Sequence, residues 1–217
     1  MRRLKESQAV PALNEVVLAT HNIHKGVEMS ALLRDVGITV RTLAEFPHAP
    51  EVEEDGKTCE ANAIKKAITI ARYTGLIAVA DDTGLSVDAL GGQPGVHAAR
   101  YAGDGASYED NCRKLLAALA GVEHDRRTAR FETVAVVAAP SGDMVGVAHG
   151  VLEGTITQTP AGSQGFGYDP VFVISNGAKT LAELSLEEKN RMSHRARAFA
   201  GIKDILRRHI TSLQVGA

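Results

Sequence analysis

The stretch "VADDTGLSVDAL", Val79 to Leu90, decides how the rest of the chain is organised. The run "LIAVA", Leu76 to Ala80, has the length and apolar content of a buried strand. Asp81 and Asp82 follow at once, "DDTG" reads as a break, and "LSVDAL" alternates again as a strand does. A carboxylate at the C-terminal end of a buried strand lies where open α/β sheets place their sites. An Asx turn accounts for one such aspartate and leaves the second to be explained. A metal, a proton to be moved or a nearby phosphate explains it, and Asp82 is expected to hold a divalent ion or to orient and deprotonate a water.

Outward from that stretch, helices and strands alternate. "VVLAT" (Val16 to Thr20) reads as a buried strand, and Met29, Leu32, Leu33 and Val36 mark one face of a helix that Gly37 stops. "ITVRT" is a second strand, and residues 43–57 read as loop. Thr58 caps a helix whose inner face is Ile64, Ala67, Ile68 and Ala71 and which ends at Gly75. Ser107 with Asp110 starts another. "RFETVAVVAA" is a central strand, and "PSGD" turns the chain into an antiparallel partner near Met144 to His149. "VFVIS" is a further strand, and a helix from about Ser193 to Arg208 closes the chain with Phe199, Ile202, Ile205 and Leu206 inward. Alternation first and a hairpin later predict an α/β fold with a mixed sheet flanked by helices.

Composition narrows the function classes. A formal net charge of -2 on 217 residues provides no basic field to gather nucleic acid. The longest apolar run, "VAVVAAP", is far short of the roughly 20 residues of a membrane span. Cys59 and Cys112 form no CxxC pair, which fits a reducing cytoplasmic setting and leaves a single disulfide open as the alternative. Residues 1–14 read as a disordered tail and 15–217 as one folded unit.

Four further stretches carry candidate chemistry. "THNIHK", Thr20 to Lys25, joins a strand to a helix start, where free N–H groups and the helix dipole suit phosphate. It lacks Walker A spacing, and the residues alone equally suit an ordinary turn capped by Asn22. "EVEEDG" (Glu51 to Gly56) is a solvated acidic loop or a source of hard oxygen ligands. "GSQGFGYDP" (Gly162 to Pro170) sets Phe166 and Tyr168 among glycines, a platform on which a base can stack. "LEEKNRMSHRAR" (Leu186 to Arg197) offers Lys189 to a phosphate and His194 and Arg195 to a carbonyl oxygen, or is simply a charged helix start. There is no GxSxG elbow, and nothing points to a covalent intermediate.

In order, "TxNxxK" (Thr20 to Lys25), "EEDG" (Glu53 to Gly56), "ADDTGLSVDALGGQPGVHAARYAG" (Ala80 to Gly103), "GFGYDP" (Gly165 to Pro170) and "EEKNRMSHR" (Glu187 to Arg195) resemble the inosine triphosphate pyrophosphatase family. The resemblance implies a long mixed sheet, two lobes around a central cleft, and a homodimer. It implies Mg²⁺-dependent hydrolysis of ITP, dITP and XTP to the monophosphate and pyrophosphate. The phosphate loop then maps onto Thr20, His21, Asn22, Ile23, His24 and Lys25, and the metal ligands onto Glu54 and Asp82. Asp82 is also the proton acceptor. Thr83, Phe166, Gly167, Tyr168, Asp169, Lys189, His194 and Arg195 map onto further substrate contacts, and Lys25 stabilises the leaving pyrophosphate. His21 and His24 stand where the family loop often has glycine, and Ala61 and Glu60 depart from the family's ENA helix. The alternatives are a pyrophosphatase for other (d)NTPs and a nucleotide-binding sensor without turnover.

Overall fold

The computed structural model describes residues 14–175 and 177–215. Of the expected N-terminal tail, residues 1–13 lie outside the described residues. The first half contributes β1 (Glu15–Leu18), α1 (Ile23–Leu33), β2 (Thr39–Thr42), α2 (Cys59–Thr74) and β3 (Ile77–Val87). Then come β4 (Pro94–Gly95), α3 (Tyr108–Ala118), β5 (Thr128–Ala138), β6 (Met144–Ile156), β7 (Phe172–Ile174), α4 (Leu186–Met192) and α5 (His194–Val215). One seven-stranded sheet runs β2-β1-β3-β5-β6-β7, with β4 added beside β3. β1 is parallel to β2 and β3, whereas β3–β5, β5–β6 and β6–β7 are antiparallel, so the sheet is mixed as expected.

Local signals were read correctly where side chains act on neighbouring backbone. Thr58 caps α2 by accepting from the Ala61 N–H, Gly75 ends it at φ +69°, and Ser107 with Asp110 forms a capping box on α3. The inward face of α2 is rotated from the expected one: it is Asn62, Ala63, Lys66, Ala67, Ile70 and Ala71, with Ile64 and Ile68 only half-buried. α5 runs on to Val215, and α4, capped by Ser185 with Glu188, is an additional helix before it. Cys59 and Cys112 are both free thiols.

"DDTG" is not a break. β3 is one strand of 11 residues, and Asp81, Asp82 and Thr83 pair with Ala135, Val134 and Thr133 of β5. Pairing along the full length of β5 overrides the turn tendency of the four residues. What ends near the aspartates is β1, whose last partner on β3 is Val79. Beyond that point β3, β5 and β6 pass out of one core and into another. The first has two layers on opposite faces of the sheet, one under α1 and α5 and one under α2; the second, around Leu85, Phe131, Leu152 and Phe172, is packed by α3. These are the two lobes, and the aspartates sit at the passage between them.

α5 approaches the sheet very closely. Gly146, Ala148 and Gly150 alternate on the face of β6 beneath it, and a Cβ at Gly150 would overlap the His194 carbonyl and the Ala198 amide. Those are backbone atoms and cannot be repacked. G150A should therefore lower stability by about 3 kcal/mol, at the upper end of overpacking costs, measured as a loss in urea-unfolding free energy; an unchanged midpoint would refute this packing.

Candidate active site

Side chains alternate across a strand, and on β3 that alternation separates the two aspartates. Val79 faces the core under α1 and α5, Ala80 the core under α2. Asp81 continues the first face. It meets Lys25 Nζ (Oδ1, 3.3 Å) and Arg195 Nε (Oδ2, 3.0 Å) and is 1% exposed. Burial alone would raise its pKa, but Lys25, Arg195 and Lys66 outweigh burial and hold the carboxyl far below the usual range. Asp82 continues the other face, where Asn62 Nδ2 donates to Oδ2 (3.1 Å) and Lys66 Nζ to Oδ1 (3.3 Å).

Asp82 lines a cavity of about 670 Å³ between the lobes, and Asp81 does not. Every expected site residue lines this cavity except Ile23 and His24. Ile23 is 81% exposed. His24 instead stacks on Phe166, with ring centroids 5.4 Å apart, and so joins the phosphate loop to the aromatic loop across the cleft. Asn22 adds a second link, donating to the Tyr108 hydroxyl at 2.7 Å.

The loop after β1 is shaped by its own side chains. Thr20 Oγ1 accepts from the Asn22 N–H (3.1 Å), and Asn22 Oδ1 caps α1 by accepting from the Lys25 N–H (3.1 Å). The amides of Ile23 and His24 open the helix and have no intrahelical partner. Together with the Lys25 ammonium they make an anion-attracting corner.

Opposite stands Glu54. Its Oε1 accepts from Lys66 Nζ at 2.6 Å, and its carbonyl from Arg100 Nη2 at 2.9 Å. Burial would raise the Glu54 carboxyl, but Lys66 and Lys25 hold it below its ordinary value. Burial would lower the Lys66 ammonium, but Asp82, Asp81 and Glu54 raise it, so it stays charged. The thiol of Cys59 is pushed up to about 12 by burial and by Asp82, which makes it an inert thiol rather than a nucleophile. Among the described residues no group of three or more His, Cys, Asp or Glu is placed to hold a metal ion.

The far end of the cavity is held by buried ions. Arg195 bonds Glu28 as well as Asp81, and Lys189 bridges Glu28 Oε1 (2.7 Å) and Asp169. Asp169 Oδ2 also accepts from the Phe166 N–H (2.9 Å), which fixes the turn that carries the ring. Lys189 Nζ lies 5.0 Å from the Phe166 centroid and the Arg195 guanidinium 5.5 Å. The Tyr168 hydroxyl donates to the Ala98 carbonyl (2.9 Å), so this aromatic anchors the loop to the second lobe. His194 Nδ1 is 2.6 Å from Thr133 Oγ1, and its ring stacks on Phe131 at 4.6 Å.

Among the site residues that the sequence reading does not find are Asn62, Lys66, Glu28 and Thr133. Lys66 and Asn62 carried a signal, since they share the α2 face with Ala63, Ala67 and Ile70 and a lysine on an apolar face needs a buried partner. Glu28 sits beside Met29 on the inward side of α1 and can be read the same way. Thr133 has no such mark, because threonine is ordinary in a strand.

Comparison with known proteins identifies the family and the fold. A model of the Ham1 family matches residues 16–205. A dITP/XTP pyrophosphatase of Geobacter sulfurreducens is 49% identical over 194 residues, 89% of this chain and 97% of that protein. One of Bacillus subtilis is 43% identical, covering 89% of this chain and 98% of its own. The structure of a HAM1 protein from Coxiella burnetii superposes with a TM-score of 0.78 at 41% identity, over 88% of this chain and 98% of that one.

His194 sets a pH response. Burial, then the like charges of Arg195 and Lys189, lower its pKa well below the ordinary value, so the ring is neutral in the folded protein. Below about pH 6.5 the unfolded chain binds a proton there that the folded state refuses, so this part of the stability is complete above that pH and falls as pH drops. Urea unfolding between pH 6.5 and 5.5 should show wild type losing up to about 1.4 kcal/mol per pH unit more than H194Q; equal slopes would contradict the assignment.

Proposed function

The chain belongs to the Ham1 family, and on that premise we propose that it hydrolyses deaminated purine nucleoside triphosphates, ITP, dITP and XTP, to the nucleoside monophosphate and pyrophosphate. The observation that carries this reading is the placing of Asp82. It is a buried carboxylate on the cavity wall, fixed by Asn62 and Lys66, between an anion-attracting loop and a loop carrying an aromatic ring.

A nucleoside triphosphate brings about four negative charges into the cavity, and its cleavage needs them neutralised and a water aimed. Glu54 and Asp82 suit Mg²⁺. Both are hard oxygen donors, and the single Lys66 ammonium touches Glu54 Oε1 at 2.6 Å and Asp82 Oδ1 at 3.3 Å, so one cationic centre reaches both. When bound, Mg²⁺ supplies charge neutralisation at the phosphates. Asp82 holds the water and takes its proton as oxygen attacks the α-phosphorus; a carboxylate with one donor on each oxygen keeps lone pairs free for this. Lys25 and the first amides of α1 stabilise the charge that develops on the departing pyrophosphate. The base lies against Phe166, near Lys189 and His194, where a side-chain donor gives its hydrogen to the 6-oxo group of hypoxanthine and leaves the amino group of adenine unpaired.

The reading extends to residues 15–217 as a single two-lobed catalytic domain, to a homodimer of such chains, and to the cytoplasmic nucleotide pool. Among the described residues no helix is long and apolar enough to cross a membrane.

The purified protein with Mg²⁺ should convert ITP, dITP and XTP to monophosphate and pyrophosphate and leave dGTP and dATP nearly untouched. Chelation should stop turnover. D82N should lower kcat by about 10³-fold with an unchanged circular dichroism spectrum. Release of orthophosphate, equal rates on all five nucleotides, or binding without turnover would each reject the reading, and an unimpaired D82N would reject the role of Asp82.

A further inference from the structure

Three hydroxyl and nitrogen contacts run in a line behind the base end of the cavity. Arg195 Nη2 lies 3.2 Å from Thr83 Oγ1, Thr83 Oγ1 lies 2.7 Å from Thr133 Oγ1, and Thr133 Oγ1 lies 2.6 Å from His194 Nδ1. Nothing in the proposed mechanism uses Thr133, which is fully buried.

We propose that Thr83 and Thr133 form a hydroxyl relay that fixes the tautomer of His194, so that Nε2 presents a hydrogen to the base, and that Thr133 is thereby a positioning residue for base discrimination. The second half rests on the reading that a purine base occupies this end of the cavity.

The direction of the relay follows from what each group can do. A guanidinium only donates, so Thr83 Oγ1 accepts from Arg195 and has one hydrogen to give. Two acceptors are near it: Asp81 Oδ2 at 3.4 Å and Thr133 Oγ1 at 2.7 Å. Hydroxyl hydrogen bonds fall at about 2.5–3.0 Å, so the hydrogen goes to Thr133. Thr133 then accepts from Thr83 and turns its own hydrogen to its other side-chain partner, His194 Nδ1, 2.6 Å away. An imidazole that accepts at Nδ1 and stays neutral carries its proton on Nε2. The ring is kept neutral by burial and by Arg195 and Lys189 beside it.

The surroundings hold the line straight. Thr83 and Thr133 are a cross-strand pair of β3 and β5, the Phe131 ring stacks on the imidazole, and the absence of a side chain at Gly150 lets the start of α5 press against the sheet. His194 lines the cavity together with Phe166 and Asp169, and with Nδ1 engaged by Thr133 the ring nitrogen left for a ligand is Nε2. A donor there matches a 6-oxo purine. The opposite tautomer would offer an acceptor and match adenine.

The test has two parts. First, ¹⁵N chemical shifts of the His194 imidazole in the unliganded wild type should show an unprotonated, pyridine-like Nδ1 and a protonated Nε2; a proton on Nδ1 overturns the relay, whatever the substrate proves to be. Second, the ratio of kcat/KM for dITP over dATP is measured for T133V, which keeps the shape and loses the hydroxyl, and for T133S, which keeps the hydroxyl. The ratio should fall about tenfold in T133V, the worth of one buried hydrogen bond, and return in T133S. An unchanged ratio in T133V, or one that T133S does not restore, overturns the role in discrimination. A wild type that ignores dITP rejects the base reading instead, and the tautomer measurement then decides the relay alone.

Discussion

A guanidinium removed from water has to be neutralised where it stands. Arg195 is among the largest fully buried side chains in the molecule, and its neutralisation organises the site. Its partners come from two other elements, Asp81 on β3 and Glu28 on α1. Glu28 also accepts from Lys189 on α4, and Lys189 donates in turn to Asp169 beside the turn that carries Phe166. Asp81 also receives Lys25 from the phosphate loop. Three carboxylates and three cations from different parts of the chain are thus tied into one balanced cluster. Removing one member would leave another charge buried and unpaired, the costly case for buried ions.

That cluster answers why two like charges stand side by side. On a strand, neighbours face opposite ways. Asp81 is spent on the cluster and sealed from the cavity, whereas Asp82 faces the cavity with weaker claims on it, one donor on each oxygen. The neighbour holds the local frame, and the second carboxylate is left for chemistry. The same β3 face that carries Asp81 carries Thr83, so the ion cluster and the hydroxyl line to His194 are built on one surface.

Much of this was legible in the sequence, and the reasons are local. Caps at Thr58 and Ser107, the stop at Gly75 and the hairpin at "PSGD" act between residues a few positions apart, so they read directly. The motif residues from Thr20 to Lys25 and from Phe166 to Asp169 declared themselves by polar and aromatic groups set at element ends. What failed was non-local. "DDTG" looked like a break because its strand character depends on pairing with β5, some fifty residues on. Lys66 and Asn62 are hidden because the apolar periodicity of α2 points to a face one step around the helix from the one that packs inward. The motif groups Ile23 and His24 with the phosphate loop, whereas the helix start leaves Ile23 exposed and carries His24 onto the Phe166 ring rather than into the cavity wall. Thr133 is invisible from sequence, since its part depends on a cross-strand neighbour and on a helix that arrives sixty residues later.

The central claim is that Asp82 aims water at the α-phosphorus. Turnover of dITP in H₂¹⁸O with mass analysis of both products tests it most directly. The account predicts one ¹⁸O in the nucleoside monophosphate and none in the pyrophosphate. Label in the pyrophosphate would mean that water attacks the β-phosphorus, and the placing of Asp82 against the α-phosphorus would be wrong.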